Sequence, residues 1–145
     1  MKRAPENLLK ARLATLAGVP KAWPNQDFAL PAVPNDAAGR QAWAYLACSI
    51  VRAGTSDDTL DAVAPVVTAR LIVTVVTLDG TGEARADTLA EQVQDLFPMG
   101  LRLDDGDIIE VIVTQPAHIR EGMSDGAYWR VPVSVPVQII TKPTP

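Results

Sequence analysis

Cysteine and histidine are almost absent from this chain of 145 residues, which contains one of each, Cys48 and His118. A single cysteine excludes an intramolecular disulfide framework and any zinc site built on several cysteines. The sequence also contains no P-loop, no complete dinucleotide-binding glycine motif and no Gly-x-Ser-x-Gly elbow. We therefore expect no enzymatic activity, no catalytic residues, no cofactor and no bound metal.

Long apolar runs are absent as well, because no stretch approaches the roughly 20 residues that a bilayer-spanning helix needs. The amino-terminal residues lead into an amphipathic helix and not into the continuous apolar segment of a signal peptide. With 48% hydrophobic and 21% charged residues the composition is that of an ordinary globular protein. We expect one domain over residues 1–145, folded in a reducing cytoplasm and not bound to a membrane.

Basic residues are scarce outside the amino-terminal part of the chain. The first 21 residues carry five basic residues against one acidic residue, a net charge of +4, and the remainder carries −8. The five are Lys2, Arg3, Lys10, Arg12 and Lys21. Since nucleic-acid binding needs an extended basic surface, and most of this chain would repel phosphate, we expect no specific binding of DNA or RNA.

Hydrophobic periodicity predicts an α+β fold, with an antiparallel or mixed β-sheet of about five strands and two main helices packed on it. The predicted helices span residues 8–17 and 84–97. A long connector, about residues 21–41, follows the first helix and contains several prolines. The predicted strands span residues 43–51, 65–78, 101–103, 108–115 and 127–140.

The last predicted strand alternates β-branched residues with more polar ones. Valines at positions 131, 133, 135 and 137 form one face, while Pro132 and Pro136 lie on the other. Both prolines remove a backbone donor from the same edge of the strand. We therefore predict that this strand lies at an edge of the sheet.

Two groups of side chains allow a chemical role as an alternative to a structural one. Cys48 and His118 form a nucleophile and base pair if the fold brings them together, but Cys48 in an apolar strand is more typical of a small core residue. The carboxylates of Asp104, Asp105 and Asp107 surround a glycine, which favours a hairpin turn over a cation site because the spacing of an EF-hand is missing.

Two further features concern loops. Asp57 and Asp58 are typical of a solvated connection. Trp23 lies in the proline-containing connector, where it either anchors the connector to the body or meets a partner, and we favour the anchor.

Three segments, taken in order, resemble the phage tail-terminator family, which includes the minor tail protein U-like tail-completion proteins. The first is the amphipathic helix of residues 8–17 followed by Ala-Trp-Pro-Asn-Gln-Asp-Phe at residues 22–28. The second is the long apolar strand that passes through a glycine break into the helix of residues 84–97. The third is Gly-Ala-Tyr-Trp-Arg-Val-Pro-Val-Ser-Val-Pro at residues 126–136. The resemblance extends from about residue 7 to residue 140.

This resemblance implies a virion protein that caps the head-proximal end of the tail tube, assembled in the host cytoplasm. Its expected partners are other copies of itself in a ring, usually hexameric, the tail-tube protein and the head connector. The residues expected at its interfaces are Lys2, Lys10, Arg12, Trp23, Asp57, Asp58, Asp104 and Asp105. A head-completion or neck connector protein is the nearest alternative function, and a small cytoplasmic enzyme using Cys48 and His118 is a more distant one.

Overall fold

A computed structural model describes residues 5–24, 26–56, 66–104, 106 and 109–141. In this part of the chain one β-sheet of eight strands carries three helices. The helices are α1 (Pro5–Ala14), α2 (Ala37–Ala42) and α3 (Ala84–Leu96). The strands are β1 (Lys21–Ala22), β2 (Ala44–Ser56), β3 (Val66–Leu78), β4 (Arg102–Asp104), β5 (Ile109–Val113), β6 (His118–Ile119), β7 (Met123–Asp125) and β8 (Tyr128–Thr141). No helix among the described residues is long and apolar enough to span a membrane.

The strands of the sheet follow the order β1-β2-β3-β8-β5-β4, and β6 and β7 also pair with β8. The short pairing of β1 with β2 is parallel and every other pairing is antiparallel, so the sheet is mixed as predicted. The longest pairing joins β3 to β8 in continuous register from Val66 opposite Ile140 to Leu78 opposite Tyr128. These two strands therefore form the centre of the sheet.

One face of the sheet, which we call the helix face, is covered by α1 and α3. Side chains alternate along a strand, so Val73 and Val75 of β3 and Val133 and Val135 of β8 all lie on this face, and all four are fully buried. The helices contribute leucines and other apolar residues at helical spacing: Leu8, Leu9 and Leu13 from α1, and Ala86, Leu89, Ala90 and Val93 from α3. Burial of this apolar surface is the main driving force that fixes the register of the central strands.

Among the described residues, the opposite face is covered most closely at one end. There Trp43, Tyr45 and Phe28 pack together, and the Trp43 indole nitrogen donates a hydrogen bond to the Pro31 carbonyl oxygen at 3.1 Å. This contact ties the connector to the sheet. Toward the other end Val51 is 52% exposed, so that part of the face is open to solvent.

The predicted position of the last strand at a sheet edge is wrong, because β8 is central. The inference about the prolines holds in part, because the carbonyl groups of Pro132 and Pro136 point to the same edge of β8. The Pro132 carbonyl oxygen accepts a hydrogen bond from the Arg120 backbone nitrogen at 2.8 Å, and the Pro136 carbonyl oxygen accepts one from the Thr114 backbone nitrogen at 3.1 Å. Because a proline has no backbone N–H group, it cannot donate a hydrogen bond to the neighbouring strand, and pairing stops at each of these positions. This edge is therefore shared by three short strands, β5, β6 and β7, and the pairing with β3 on the other edge is intact.

The five longer predicted strands and both predicted helices are present, and the elements that sequence reasoning missed are short. They are β1, β6, β7 and α2, none longer than six residues. Helix α2 lies inside the connector, where the Asp36 carboxylate accepts a hydrogen bond from the Gly39 backbone nitrogen at 2.8 Å and caps the helix. Such elements carry too few residues for a hydrophobic period to be visible.

Amide hydrogen exchange tests the central position of β8. The backbone amides of Val133 and Val135 face β3, so we expect them to exchange only through global unfolding. The amide of Ile50 points to the outer edge of β2, as does that of Leu46, which donates to the Pro20 carbonyl oxygen at 2.9 Å. We expect the Ile50 amide to exchange at least about a hundredfold faster than Val133. Equal protection of Ile50 and Val133, measured by NMR, would contradict this topology.

Candidate functional site

The register of the sheet keeps Cys48 and His118 apart. Cys48 lies opposite Val73 on the helix face, whereas His118 pairs with Ser134, whose side chain lies on the other face. Two strands, β3 and β8, separate β2 from β6, which corresponds to about 14 Å at the usual strand spacing. The two residues therefore cannot act as a nucleophile and base pair in this fold.

Burial also suppresses the reactivity of the cysteine. The Cys48 side chain is buried, and desolvation raises the pKa of its thiol to about 12, although the nearby Lys21 ammonium acts in the opposite direction. A thiol with that pKa is protonated at neutral pH, and the protonated form is a poor nucleophile. This environment is typical of a structural core residue.

The basic residues of the amino-terminal region differ in what they contact. Arg12 donates from Nε to the Leu96 carbonyl oxygen at 2.9 Å, so it caps the carboxyl end of α3. The Lys21 ammonium likewise donates to the carbonyl oxygens of Leu16 and Val19, just after α1. Both side chains are therefore occupied within the chain.

Lys10 is the basic residue of α1 that is left without a hydrogen-bonded partner in the described part of the chain. It lies near Glu6, which forms an ion pair with Arg52. Burial alone would raise the pKa of Glu6, but its hydrogen bond to Arg52 and the charges of Arg52 and Lys10 bring that pKa below the ordinary value. Among the described residues, Lys10 and Arg52 thus place two cations near the single carboxylate of Glu6.

A polar cleft lies at the opposite end of α3, and we call it the acidic cleft. It has a volume of about 320 Å³ and adjoins a second cavity of about 220 Å³. The turn before α3, the first turn of α3, residues 119–122 and the start of β8 form its walls. Its lining includes Glu83, Asp87, Arg120, Glu121 and Trp129.

Trp129 lies between the two cavities and lines both. Its indole nitrogen is buried and has no acceptor among the described residues. Gly122 packs against the ring so closely that a Cβ atom there would lie 2.4 Å from Trp129 Cζ2. Only glycine fits at this position, because the same Cβ atom would also lie 2.9 Å from the indole nitrogen, so Gly122 covers that edge of the ring and fixes the indole beside the cleft.

The charge of the cleft is negative. Glu83, Asp87 and Glu121 supply three carboxylates against the single cation of Arg120, and all four side chains are exposed. None of the three carboxylates forms an ion pair within the described part of the chain. Sequence reasoning missed the cleft, because residues 119–122 and Trp129 are brought to α3 only by the pairing of β6 and β7 with β8.

The structure describes four of the interface residues expected from the sequence, namely Lys10, Arg12, Trp23 and Asp104. Trp23 is half-buried and packs against the main core, as expected for an anchor of the connector. Asp104 is exposed at the end of β4 and accepts a hydrogen bond from the Gly106 backbone nitrogen at 2.7 Å, as in a tight turn. Lys2, Asp57, Asp58 and Asp105 lie outside the described residues, and so does Asp107.

No group of three or more possible metal ligands occurs among the described residues. Because Asp105 and Asp107 are outside them, the interpretation of residues 104–107 as a turn without a bound cation stays a prediction.

Comparison with known proteins identifies the kind of protein to which this fold belongs. One solved structure, of a protein whose name states no function, superposes with a TM-score of 0.69 and 23% sequence identity, over 98% of this chain and 100% of that one. At this identity the likeness shows the fold alone. No curated protein matches the chain significantly.

A family model described as phage tail terminator protein matches residues 6–136. The match covers nearly the whole chain, so the protein is a structural component of a bacteriophage tail. The chain belongs to the phage tail terminator family, and the resemblance seen in its sequence is confirmed.

The role of Arg12 as an intramolecular cap leads to a prediction about stability. Arg12→Gln removes a hydrogen bond to a helix end and a favourable charge there, so we expect the free energy of unfolding to fall by about 1 kcal/mol. Lys10→Gln, two residues away, is the matched control and should change it by less than about 0.5 kcal/mol. Urea denaturation of both variants is the measurement, and equal effects would show that Arg12 has no capping role.

The buried thiol leads to a second prediction. At pH 8 the fraction of Cys48 present as thiolate is about one in ten thousand for a pKa near 12, against about a quarter for a free thiol. We expect iodoacetamide to alkylate the folded chain at least about a hundredfold more slowly than the chain unfolded in guanidinium at the same pH. Mass spectrometry of timed samples measures both rates, and rapid labelling of the folded chain would overturn the assignment of Cys48 to the core.

Proposed function

We propose that this protein closes the head-proximal end of the tail tube as a ring, stops polymerisation of the tube and presents a surface for the head connector. The observation that carries the proposal is the match of the tail terminator family to residues 6–136. On this proposal the protein is assembled in the host cytoplasm, works without catalytic residues or a cofactor, and contacts copies of itself, the tube protein and the connector.

A ring requires that each subunit present two different surfaces, because contacts around a closed rotation are heterologous. The described part of this chain has such an asymmetry. Helix α1 carries Lys10, which has no hydrogen-bonded partner among the described residues, and the cleft at the start of α3 has three carboxylates against the single cation of Arg120. Opposite charges on two separate surfaces support assembly in one direction and disfavour contacts between like surfaces.

An open sheet edge is a hazard for a protein that must add to the tube only once. The edge of β8 that carries the prolines is occupied by three short strands, so it is closed to further pairing. The outer edge of β2 beyond Ala47 differs, because it has no partner strand among the described residues.

Tube polymerisation in the presence of this protein tests the proposal. Purified tail-tube protein is polymerised with and without the chain, and tube lengths and ends are measured by electron microscopy. We expect shorter tubes with a ring of extra density at one end only. Tubes of unchanged length with bare ends would contradict the proposal, and binding to filled heads without tubes would favour a neck connector instead.

A further inference from the structure

An apolar groove lies on the open part of the sheet face that points away from α1 and α3. It has a volume of about 290 Å³, and its lining includes Val51, Arg70, Ile72 and Pro136. Val51, Arg70 and Pro136 are opposite one another in β2, β3 and β8, so the groove crosses these three strands. Ile72 packs against neither hydrophobic core and Val51 is 52% exposed, so the described residues leave this apolar surface uncovered.

A second exposed apolar surface lies on the connector. Residues 28–34 have the sequence Phe-Ala-Leu-Pro-Ala-Val-Pro, and we call this segment the strap. Leu30 of the strap is 53% exposed and Val33 is 45% exposed. Five large apolar side chains are exposed in the described part of the chain, and three of them are Leu30, Val33 and Val51 of the groove. Exposed apolar surface of this kind is typical of a protein–protein contact.

The strap is held from beneath, which leaves its leucine and valine on the outside. Phe28 packs on Tyr45 with 5.1 Å between the ring centroids, and the hydrogen bond to the Pro31 carbonyl oxygen fixes the middle of the strap. Pro34 packs against α2 so closely that a Cβ atom on Gly39 would lie 2.7 Å from Pro34 Cβ. A segment that is held in place before it binds loses little conformational entropy on binding.

The charges of the strap and the groove are complementary. Arg70 is the charged residue of the groove lining, and it is exposed without an ion pair in the described part of the chain. Residues 26–36, which contain the strap, carry Asp27 and Asp36 and no basic residue. Asp36 caps α2, whereas Asp27 is exposed and has no ion pair among the described residues. An apolar segment with an unpaired carboxylate therefore matches an apolar groove with an unpaired cation.

The strap of a subunit cannot reach the groove of the same subunit. Tyr45, on which Phe28 packs, pairs with Val76 of β3, six residues along the strand from Arg70. This separation corresponds to about 20 Å. Because Leu30 lies inside the fixed strap, it stays at its own end of the sheet. A second copy of the chain has no such limit.

We propose that the strap of one subunit binds in the apolar groove of a neighbouring copy. Leu30 packs against Val51 and Ile72, and the Asp27 carboxylate pairs with the Arg70 guanidinium. The strap and the groove are different surfaces, so each subunit offers its strap to one neighbour and its groove to another, as a closed ring requires. The inference rests on the proposed ring and names the surfaces that form it.

Disulfide trapping tests this contact in the full-length chain. The variant L30C/V51C carries one new cysteine in the strap and one in the groove. The matched control L30C/Q92C carries its second cysteine at an exposed position of α3, outside the groove. The wild-type chain, whose Cys48 is buried, gives the background. Each protein is oxidised with copper phenanthroline and analysed by gel electrophoresis without a reductant.

We expect L30C/V51C to form a covalent ladder that extends beyond the dimer, because each subunit takes part in two contacts. The control should cross-link at least about tenfold less, since a disulfide needs the two Cα atoms within about 7 Å of each other. A control ladder of equal intensity, an L30C/V51C chain without cross-links, a product no larger than a dimer, or a disulfide within one chain would each overturn the inference.

Charge exchange tests the ion pair separately, with self-association measured by sedimentation velocity. We expect D27R and R70D each to associate at least about fivefold more weakly than the wild type, because like charges then meet. The double variant D27R/R70D should return to within about twofold of the wild type, since the pair is restored with reversed polarity. R120D makes the same charge change at an exposed arginine outside the groove and should also stay within about twofold.

All the residues changed by charge exchange are exposed, so we expect each variant to fold, as checked by circular dichroism. A monomeric wild type, equal weakening by R120D, or a double variant that associates no better than D27R alone would contradict the proposed contact.

Tube capping separates this inference from the proposed function. The variant L30D/V51D places carboxylates on both sides of the contact, at two exposed positions, and we expect it to fold but not to cap tubes. Capping by this variant as efficient as that by the wild type would overturn the inference and leave the proposed function standing. Failure of the wild type to cap tubes would contradict the function itself.

Discussion

The pairing of β3 with β8 is the interaction on which the rest of the structure depends. The two strands are in continuous register along the whole of β3, and each contributes fully buried valines to the same face. Their register sets which residues meet α1 and α3, and it holds the start of α1 and the acidic cleft at opposite ends of β3. The separation of the start of α1 from the cleft is thus a consequence of one long strand pair.

The parts of the fold that were predictable from the sequence are those whose apolar residues recur at a regular spacing. The alternating valines of β8 and the apolar face of α3 each have a period that identifies the element and its buried side. The position of β8 in the sheet was predicted wrongly, because Pro132 and Pro136 restrict one edge of the strand but do not show whether short strands occupy the gaps between them. The two-residue strands and the six-residue α2 carry no period at all.

The family was recognisable from the order of three segments, and the candidate site was not. Arg12 was expected at an interface, and nothing in the sequence indicated that it caps the end of α3, a contact between residues 84 positions apart. The cleft depends on Gly122 meeting Trp129, and its carboxylates come from a different element. Contacts of this kind arise from the packing of elements, which local patterns do not specify. Lys2, Asp57, Asp58 and Asp105 stay predictions as interface residues.

A reconstruction of the capped tube end by electron cryomicroscopy tests the central claim, that this protein terminates the tail as a head-to-tail ring. The account predicts a single closed ring at one end of the tube. Subunits bound along the sides of the tube, with both ends bare, would contradict the account as a whole.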